Sequence, residues 1–301
     1  MTVIALTGGT GFVGSHVIDQ ALAAGIELRA LTRRPQLDRA GVTWIAGALD
    51  DTASLARLVE GAAAVLHVAG VINAPDRPGF AAGNIAGTRN VIAAAERAGI
   101  RRFVQVSSLT AREPGLSDYG WSKAEADQVL MASDLDWTIV RPPAIFGPRD
   151  SEMLELFKLA AWHIMPLPPA GGRLSVIAVE ELVRLLLALP TSNALTRLIV
   201  EPDDGAPNGW DHRDLARAIG LATDSKVLPL PLPRVVLDTI AAGDRLVRGK
   251  GAKLTPDRVR YFCHKDWVSH AQPPADVWAP QADTRDALAA TAAWYRAQGL
   301  L

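Results

Sequence analysis

The first half of the chain alternates short apolar runs with segments in which apolar residues recur every three to four positions. The apolar runs predict strands at 3–6, 27–32, 42–45, 64–68, 103–107 and 137–141. The helical spacing predicts helices at 14–24, 51–60, 84–98 and 119–132. Such alternation is typical of βαβ units, so the pattern predicts an α/β protein with a doubly wound parallel sheet.

The pattern becomes less regular after Pro148. Proline and glycine cluster at 165–172, 201–208 and 229–233, and amphipathic helices are predicted within 176–189 and 235–242. We therefore expect a first domain over 1–150 and a smaller C-terminal lobe over 151–301. Part of that lobe, about 176–200, is expected to pack back on the first domain.

Composition narrows the choice of partners. Apolar residues make up 49% of the 301 residues, charged residues 21%, and the net charge is −1, which is an ordinary globular balance. This balance argues against a nucleic-acid partner and a polybasic membrane anchor, and no targeting or membrane-spanning segment is visible. Cys263 is the only cysteine, and the histidines show no metal-ligand spacing. We expect a cytoplasmic protein with no metal and no membrane partner.

A glycine-rich loop follows the first predicted strand and opens the first helix. It reads as Gly8-x-x-Gly11-x-x-Gly14, or as Gly9-x-Gly11-x-x-Gly14. Glycines permit a tight turn and close backbone approach, and a helix N-terminus offers free N–H groups to a pyrophosphate. A plain glycine-rich turn is the alternative, but position and spacing favour a Rossmann dinucleotide site. The expected cofactor contacts in this loop are Gly8, Thr10, Gly11, Phe12, Val13 and Gly14.

The end of the second strand bears on which nicotinamide cofactor binds. An NAD site usually places a carboxylate there, to hold the ribose 2′-hydroxyl. This strand ends in Thr32-Arg33-Arg34 without an acid, and either guanidinium is suited to a 2′-phosphate. NADP(H) is therefore favoured and NAD(H) stays open, as does the reading of both arginines as a solvated loop.

Several further motifs occur in a fixed order along the chain. They are His67-Val68-Ala69-Gly70, the segment Asn84 to Asn90, Ser107-Ser108, Tyr119-x-x-x-Lys123, and the segment Arg141 to Pro148. Together with the glycine loop they resemble the extended or atypical short-chain dehydrogenases, the broad NAD-dependent epimerase/dehydratase group. The similarity spans nearly the whole chain but is specific over the first 150 residues.

The chemistry explains the residue types at the expected catalytic site. Tyr119 and Lys123 are four apart on a predicted helix and so share a face. A neighbouring ammonium favours a phenolate, which would let Tyr119 exchange a proton with a substrate oxygen. Ser108, favoured over the adjacent Ser107, would hold that oxygen at the carboxyl end of its strand. His67 is expected to pack within its strand.

The resemblance adds further roles. It implies that Lys123 also holds the nicotinamide ribose, and that Asn84 orients the lysine and a proton-relay water, although Asn84 is also suited to cap its helix. It places the cofactor against Ala48, Leu49, Ala69, Gly70 and Pro142 as well. Relatives often carry an aspartate where this chain has Ala48, so one hydrogen bond to adenine is expected to be missing. Many relatives also pair through two helices, which here predicts a homodimer through 84–98 and 119–132.

The reaction type follows from what the motifs lack. Sugar-nucleotide dehydratases of the group carry an Asp-Glu pair after the catalytic hydroxyl residue, where this chain has Leu109-Thr110. Epimerases commonly carry an asparagine where this chain reads Arg141-Pro142-Pro143-Ala144. The second lobe offers an apolar set that suits an apolar or aromatic substrate, although a core lining would look similar: Leu156, Phe157, Trp162, Met165, Leu167 and Trp210. We therefore expect an NAD(P)-dependent reductase or dehydrogenase for a small, apolar ketone or alcohol; a sugar-nucleotide epimerase and a non-catalytic NADP-binding sensor or structural subunit are the alternatives.

Overall fold

The computed structural model describes residues 3–249 and 255–301. In chain order the strands are β1 (Val3–Thr7), β2 (Glu27–Thr32), β3 (Val42–Ala46), β4 (Ala64–His67), β5 (Arg102–Val106), β6 (Asp136–Val140), β7 (Ala144–Phe146), β8 (Ile164–Leu167), β9 (Arg173–Leu174), β10 (Val176–Ala178), β11 (Leu198–Val200), β12 (Trp210–Asp211), β13 (Leu228–Pro231) and β14 (Asp266–Trp267).

The helices follow the same order. They are α1 (Phe12–Ala23), α2 (Thr52–Val59), α3 (Arg77–Phe80), α4 (Gly87–Arg97), α5 (Asp118–Met131), α6 (Leu154–Ala161), α7 (Val179–Ala188), α8 (His212–Ala222), α9 (Arg234–Arg248), α10 (Pro256–Phe262) and α11 (Thr284–Ala297). No helix in the described ranges combines the length and the apolar character needed to cross a membrane.

The central sheet has seven strands in the order β11-β6-β5-β4-β1-β2-β3, and every neighbouring pair is parallel. Strand order reverses between β1 and β4. At such a reversal the connections leave a crevice beyond the carboxyl ends of β1 and β4, and open α/β sheets bind ligands there. The prediction of a Rossmann-type doubly wound sheet is confirmed. The edge strand β11 was not predicted, because its three apolar residues are too short a run to stand out.

The helix predicted at 84–98 begins earlier in the structure. Helical backbone starts at Arg77, runs through a π-helical segment at Ala81–Ala86 and continues as α4. Pro78 is tolerated because it lies in the first turn, where the N–H that proline lacks would have had no intrahelical acceptor. Asp76 caps the helix by accepting from the Gly79 N–H. The predicted start at 84 is therefore wrong; Pro78 and Gly79 are residue types that the sequence alone does not associate with a helix.

The chain divides into two units by the density of its internal contacts. Unit 1 comprises 3–142, Leu182–Pro202 and Ala271–Trp278; unit 2 comprises Pro143–Glu181, Asp203–His270 and Ala279–Leu301. The core of unit 1 packs α2, α4 and α5 against the sheet, with Leu55, Val91 and Phe103 fully buried. The assignment of 1–150 to cofactor and 151–301 to substrate stays a prediction.

Unit 2 has its own core, which includes residues that the sequence suggested for a substrate. Phe157, Met165 and Leu167 are buried together with Tyr295, whose hydroxyl donates to the Asp150 carbonyl at 2.7 Å. These three side chains form the interior of unit 2, so the expectation that they line a substrate pocket is wrong for them. Their hydrophobic pattern is the same in either role, which is why the sequence did not separate the two.

Candidate active site

The glycine-rich loop is shaped by close backbone approach. Gly8 has φ +77°, and a Cβ there would lie 2.6 Å from the Ala69 backbone nitrogen. A Cβ at Gly14 would overlap the Gly8 carbonyl oxygen. The Gly11 N–H donates to that same carbonyl at 3.0 Å and closes the turn. Of the two possible glycine spacings, the structure uses Gly8-x-x-Gly11-x-x-Gly14, because the backbones of Gly8 and Gly14 are in contact.

Helix α1 begins directly after this turn. Gly11 is its N-cap, without a capping side chain, and its first turn carries no acidic residue. The N–H groups of Phe12, Val13 and Gly14 therefore lack intrahelical acceptors and lie at the positive end of the helix dipole. Thr10, beside them, is exposed. A dinucleotide pyrophosphate fits this arrangement, because backbone donors are available at the positive end of the helix dipole.

The end of β2 presents two cations. The buried Thr32 hydroxyl donates to the Arg34 carbonyl at 2.6 Å and so fixes the turn that carries Arg33 and Arg34. Both arginines are exposed, and neither forms an ion pair with a side chain in the described part of the chain. No acidic residue occupies the turn. This arrangement fits a 2′-phosphate better than a 2′-hydroxyl.

The segment after β3 lies beside this turn. The Gly47 N–H donates to the Thr32 carbonyl at 2.9 Å and joins the ends of β2 and β3. Leu49 packs against Gly87 of α4, and its carbonyl accepts from Asn90 at 2.9 Å. Ala48 is partly buried and offers no polar side chain. The structure therefore leaves an apolar surface here, as the resemblance implies for an adenine ring.

His67 links the end of β1 to α4 and, through Thr7, to the backbone after β4. Its Nδ1 is hydrogen-bonded to the Thr7 hydroxyl at 2.6 Å and its Nε2 to the Thr88 hydroxyl at 3.0 Å. Thr7 Oγ1 in turn accepts from the Ala69 N–H at 3.2 Å. Burial lowers the pKa of His67 to about 3, helped by the charge of Lys123. A neutral His67 thus fixes the backbone around Ala69 and Gly70, and takes the packing role expected of it.

Ser108 and Tyr119 meet beyond the carboxyl end of β5. The Ser108 hydroxyl accepts from the Thr110 hydroxyl at 2.9 Å and is hydrogen-bonded to Tyr119. Burial raises the pKa of Tyr119, and the hydrogen bond with Ser108 opposes that rise. The sequence led us to expect a pKa lowered by Lys123, but desolvation of the phenol dominates in the chain alone. Phe80 lies against the Tyr119 ring, with 6.2 Å between centroids.

The adjacent Ser107 has different surroundings. It is buried, and its hydroxyl has no hydrogen-bond partner in the described part of the chain, although it lies near enough to the Asp127 carboxylate to lower the pKa of that group. Successive side chains in extended backbone point to opposite sides, so only one of the two serines faces the tyrosine. That one is Ser108.

Lys123 is buried one turn of α5 beyond Tyr119. Its Nζ donates to the Val106 carbonyl at 2.9 Å. Burial lowers the pKa of Lys123, and the Asp127 carboxylate opposes this. A Cβ placed on Gly70 would lie 3.6 Å from the lysine Nζ and 3.3 Å from Asn84 Oδ1. The ammonium and the Asn84 amide therefore flank the exposed Gly70 backbone.

Asn84 lies within the π-helical segment and is not a helix cap. Its Oδ1 accepts from the Val71 N–H at 2.7 Å, and its Nδ2 donates to the Val71 carbonyl at 3.0 Å and to Ser122 Oγ at 2.8 Å. In this arrangement it holds the loop after β4 against α5. Isolated π-helical turns occur frequently at functional sites. The proton-relay role implied by the resemblance stays a prediction.

A buried ion pair supports the same face of α5, and sequence reasoning missed it. The Asp127 carboxylate accepts from Arg141 Nε at 2.9 Å and from Gln105 Nε2 at 2.7 Å. Burial raises the pKa of Asp127, and Arg141 and Lys123 oppose it. Tyr119, Lys123 and Asp127 are spaced four apart, so the same helical spacing that paired the first two would have indicated the third.

Pro142 follows Arg141 and is buried at the end of β6. Its carbonyl accepts from the Leu109 N–H at 2.9 Å, which holds the turn after Ser108 against β6. Within 3–249 and 255–301, no three His, Cys, Asp or Glu side chains are grouped to hold a metal ion. The groups that the site brings together are hydroxyl, ammonium and amide groups from the sheet ends, α5 and the segment preceding α4.

Known proteins resemble this chain over its full length. Residues 8–154 match a family model described as NAD(P)H-binding. A protein of Caulobacter vibrioides named ceramide reductase is 34% identical, covering 99% of this chain and 96% of its own. The UDP-glucose 4-epimerase of Vibrio cholerae is 24% identical over 76% of this chain and 78% of its own. The Bordetella bronchiseptica enzyme WbmG in complex with NAD superposes with a TM-score of 0.73 at 20% identity, covering 99% of this chain and 95% of its own.

Proposed function

We propose a substrate class and a direction of reaction for this chain, which belongs to the extended short-chain dehydrogenase/reductase family, the epimerase/dehydratase group. It is an NAD(P)-dependent reductase or dehydrogenase that acts on a ketone/alcohol pair. The reaction we propose is reduction of a keto group on a long-chain lipid of the ceramide class. The observation that carries this proposal is the Ser108–Tyr119 hydroxyl pair beside a buried Lys123.

Each side chain has a role in this reaction. When bound, the nicotinamide supplies the hydride that adds to the carbonyl carbon. Thr110 donates to Ser108, which leaves the Ser108 proton free to turn from Tyr119 to a substrate oxygen. Tyr119 then gives its proton to the oxygen as negative charge develops there. The positive charge of Lys123 favours the phenolate left behind, until a proton from solvent restores it.

We propose reduction as the direction of reaction, and the protonation state of Tyr119 supports it. A proton donor must be protonated before the substrate arrives, and burial raises the Tyr119 pKa rather than lowering it. The neutral phenol therefore dominates at neutral pH, which suits reduction of a ketone. Oxidation of an alcohol would instead need the phenolate at the start of the cycle.

The substrate class rests on the full-length similarity to a ceramide reductase at 34% identity. Leu109 and Thr110 follow Ser108, where a sugar-nucleotide dehydratase would carry an acid pair. The solved structures of sugar-nucleotide enzymes share 14% to 20% identity with this chain, and that likeness concerns the fold. We therefore place ketone reduction ahead of epimerisation.

Replacing the proton donor tests the proposal. Purified protein is given NADPH and the keto form of a ceramide, and loss of NADPH and formation of the alcohol are both followed. We expect turnover by the native chain and at least a hundredfold loss, about 2.7 kcal/mol, in Tyr119→Phe. Nucleotide affinity should stay nearly unchanged, because the hydroxyl acts on the substrate. Ser107→Ala is the matched control, and it should lose much less activity than Ser108→Ala.

Two results would contradict the proposal. Full turnover by Tyr119→Phe would remove the tyrosine from the reaction. Turnover of UDP-sugars with none of any ketone would identify an epimerase instead.

For the cofactor we propose NADP(H) over NAD(H). The exposed Arg33 and Arg34 would form charge-assisted hydrogen bonds with a 2′-phosphate. Calorimetric titration should show tighter binding of NADPH than of NADH. The double variant R33A/R34A should weaken NADPH binding at least tenfold, about 1.4 kcal/mol, and leave NADH nearly unchanged. Equal weakening of both nucleotides would show that the arginines do not read the phosphate. The cytoplasmic location and the homodimer expected from the sequence stay predictions.

A further inference from the structure

Helix α9 carries an apolar surface that faces solvent. At 100° per residue, eight residues fall in one sector of about 160° without a charge among them. They are Val235, Val236, Thr239, Ile240, Ala242, Gly243, Leu246 and Val247. We call these eight residues the apolar helix face. Val235 is 75% exposed, Leu246 88% and Val247 85%.

The opposite side of α9 is the one that packs. Ala241 is fully buried, and Leu237 and Asp244 are partly buried on the same stripe, where α9 contacts α10. An amphipathic helix of a globular protein normally turns its apolar stripe inward. Here a narrow stripe of the helix is buried, and the wide apolar sector remains outside.

A second apolar surface precedes α9 in unit 2. Strands β8 and β13 pair in parallel, with Ile164 opposite Leu228 and Pro166 opposite Leu230. All four side chains are exposed, whereas Met165 and Leu167 on the other face of β8 are buried. We call the exposed four the apolar sheet face. Trp162, just before β8, is 82% exposed.

The two faces are close along the chain, and their side chains are exposed in the described part of unit 2. Only Leu232 and Pro233 separate β13 from α9. Scattered exposed apolar residues are ordinary, but a contiguous uncharged sector with strands exposing apolar side chains indicates a binding surface. Apolar surface left in water costs about 25 cal/mol per Å².

The charge of the sequence that contains α9 distinguishes between possible binding partners. Residues 234–260 contain seven Lys or Arg and three Asp, whereas the whole chain has a net charge of −1. Basic residues therefore concentrate on the segment that carries the apolar helix face. Two copies of this chain would bring like charges together at such a contact, which is unfavourable. An anionic partner is favoured instead.

We propose that the apolar helix face docks on an anionic lipid bilayer, with α9 lying along the interface and the apolar sheet face and Trp162 beside it. Helices that bind membrane surfaces combine an apolar face with Lys and Arg on the opposite, polar face. Tryptophan is favoured at the same depth of a bilayer. The expectation of no membrane partner rested on spanning segments and polybasic anchors, and docking of this kind needs neither.

Vesicle sedimentation tests the docking directly and needs neither cofactor nor substrate, so it is independent of the proposed reaction. The full chain is spun with vesicles of phosphatidylcholine, with or without phosphatidylglycerol. We expect it to sediment with the anionic vesicles, less at high salt. The double variant V236E/I240E should reduce that binding at least tenfold. The control L198E alters an exposed leucine on the edge strand β11 and should bind as the native chain does.

Three outcomes would overturn the proposal. The first is that the native chain stays in the supernatant with anionic vesicles. The second is that V236E/I240E binds these vesicles as well as the native chain does. In the third, equilibrium sedimentation without lipid would show a native dimer that V236E/I240E converts to a monomer, which would identify the face as an interface between copies. Thermal unfolding of both variants confirms that each one is folded.

Discussion

Helices α5 and α9 differ in which face they bury. α5 turns Ser122, Lys123 and Asp127 inward, so hydroxyl, ammonium and carboxylate groups lie beneath it. α9 leaves its apolar helix face in solvent and buries a narrow stripe around Ala241. Soluble proteins usually bury apolar residues and expose polar ones. Helix α5 departs from this rule by burying polar groups, and helix α9 departs from it by exposing apolar groups.

The two departures need different compensation. A buried charge costs several kcal/mol unless partners surround it, and Asp127 has Arg141, Gln105 and Lys123. An exposed apolar face has no such partners among the described residues, and the proposed contact with a bilayer would remove it from water. Departures of either sign therefore indicate function: chemistry at α5 and docking at α9.

Among the variants expected to fold, the largest effect should come from removing the charge buried under α5. Asp127→Ala leaves the Arg141 guanidinium and the Lys123 ammonium without their counter-charge, so we expect a loss of about 3–5 kcal/mol in unfolding free energy. Urea unfolding followed by circular dichroism measures it. Asp238→Ala on α9 is the matched control, because its exposed pair with Arg234 contributes less than about 1 kcal/mol. Equal losses of unfolding free energy in Asp127→Ala and Asp238→Ala would contradict the prediction that the buried ion pair of α5 contributes more than the exposed pair of α9.

Acid should weaken unit 1 through His67. The unfolded chain takes up a proton near pH 6.5, whereas the folded chain holds His67 neutral down to about pH 3. The stability contributed by a neutral His67 is therefore complete above pH 6.5 and is lost as the pH falls toward 3. The expected slope is about 1.4 kcal/mol per pH unit, or roughly 2 kcal/mol lost at pH 5.

The measurement is urea unfolding at a series of pH values. His67→Gln should flatten the dependence on pH, because glutamine takes up no proton in either state. His163→Gln, at an exposed position of unit 2, should leave the slope unchanged. A slope that survives in His67→Gln would assign the acid sensitivity to another group.

The smallest effect should come from the apolar helix face. Val235→Glu places a charge on a side chain already exposed to water, so we expect the unfolding free energy to change by less than about 0.5 kcal/mol. The matched change in α5, Leu130→Glu, buries a charge in the core of unit 1 and should prevent stable folding. Strong destabilisation by Val235→Glu would mean that this face packs against the protein itself.

The sequence predicted most of the fold because buried parallel strands are apolar on both sides. Six strands of the central sheet were predicted with ends within one or two residues of those observed. The start of the helix before α4 was missed, because Pro78 and Gly79 resemble a loop until Asp76 is seen to cap them. The prediction for Phe157, Met165 and Leu167 was wrong because a core and a pocket lining have the same composition.

The sequence predicted which residue types form the candidate site, but not which atoms they contact. The spacing of Tyr119 and Lys123 placed them on one face, but it did not reveal that Lys123 donates to the Val106 carbonyl. Asp127 follows the same spacing and was overlooked, since an acid on a helix is usually solvated. Its role depends on Arg141, which arrives from a different strand.

By itself, the sequence determined the parallel sheet, the turn through Gly8, Gly11 and Gly14, and the pairing of Tyr119 with Lys123. These features depend on local periodicity and on backbone approach, and both are encoded within a few neighbouring residues. The tertiary structure decided which serine faces Tyr119, where Asn84 bonds, and which side of α9 is left in solvent. An amphipathic pattern has the same period whether its apolar side meets a core or water, so only packing settles that choice.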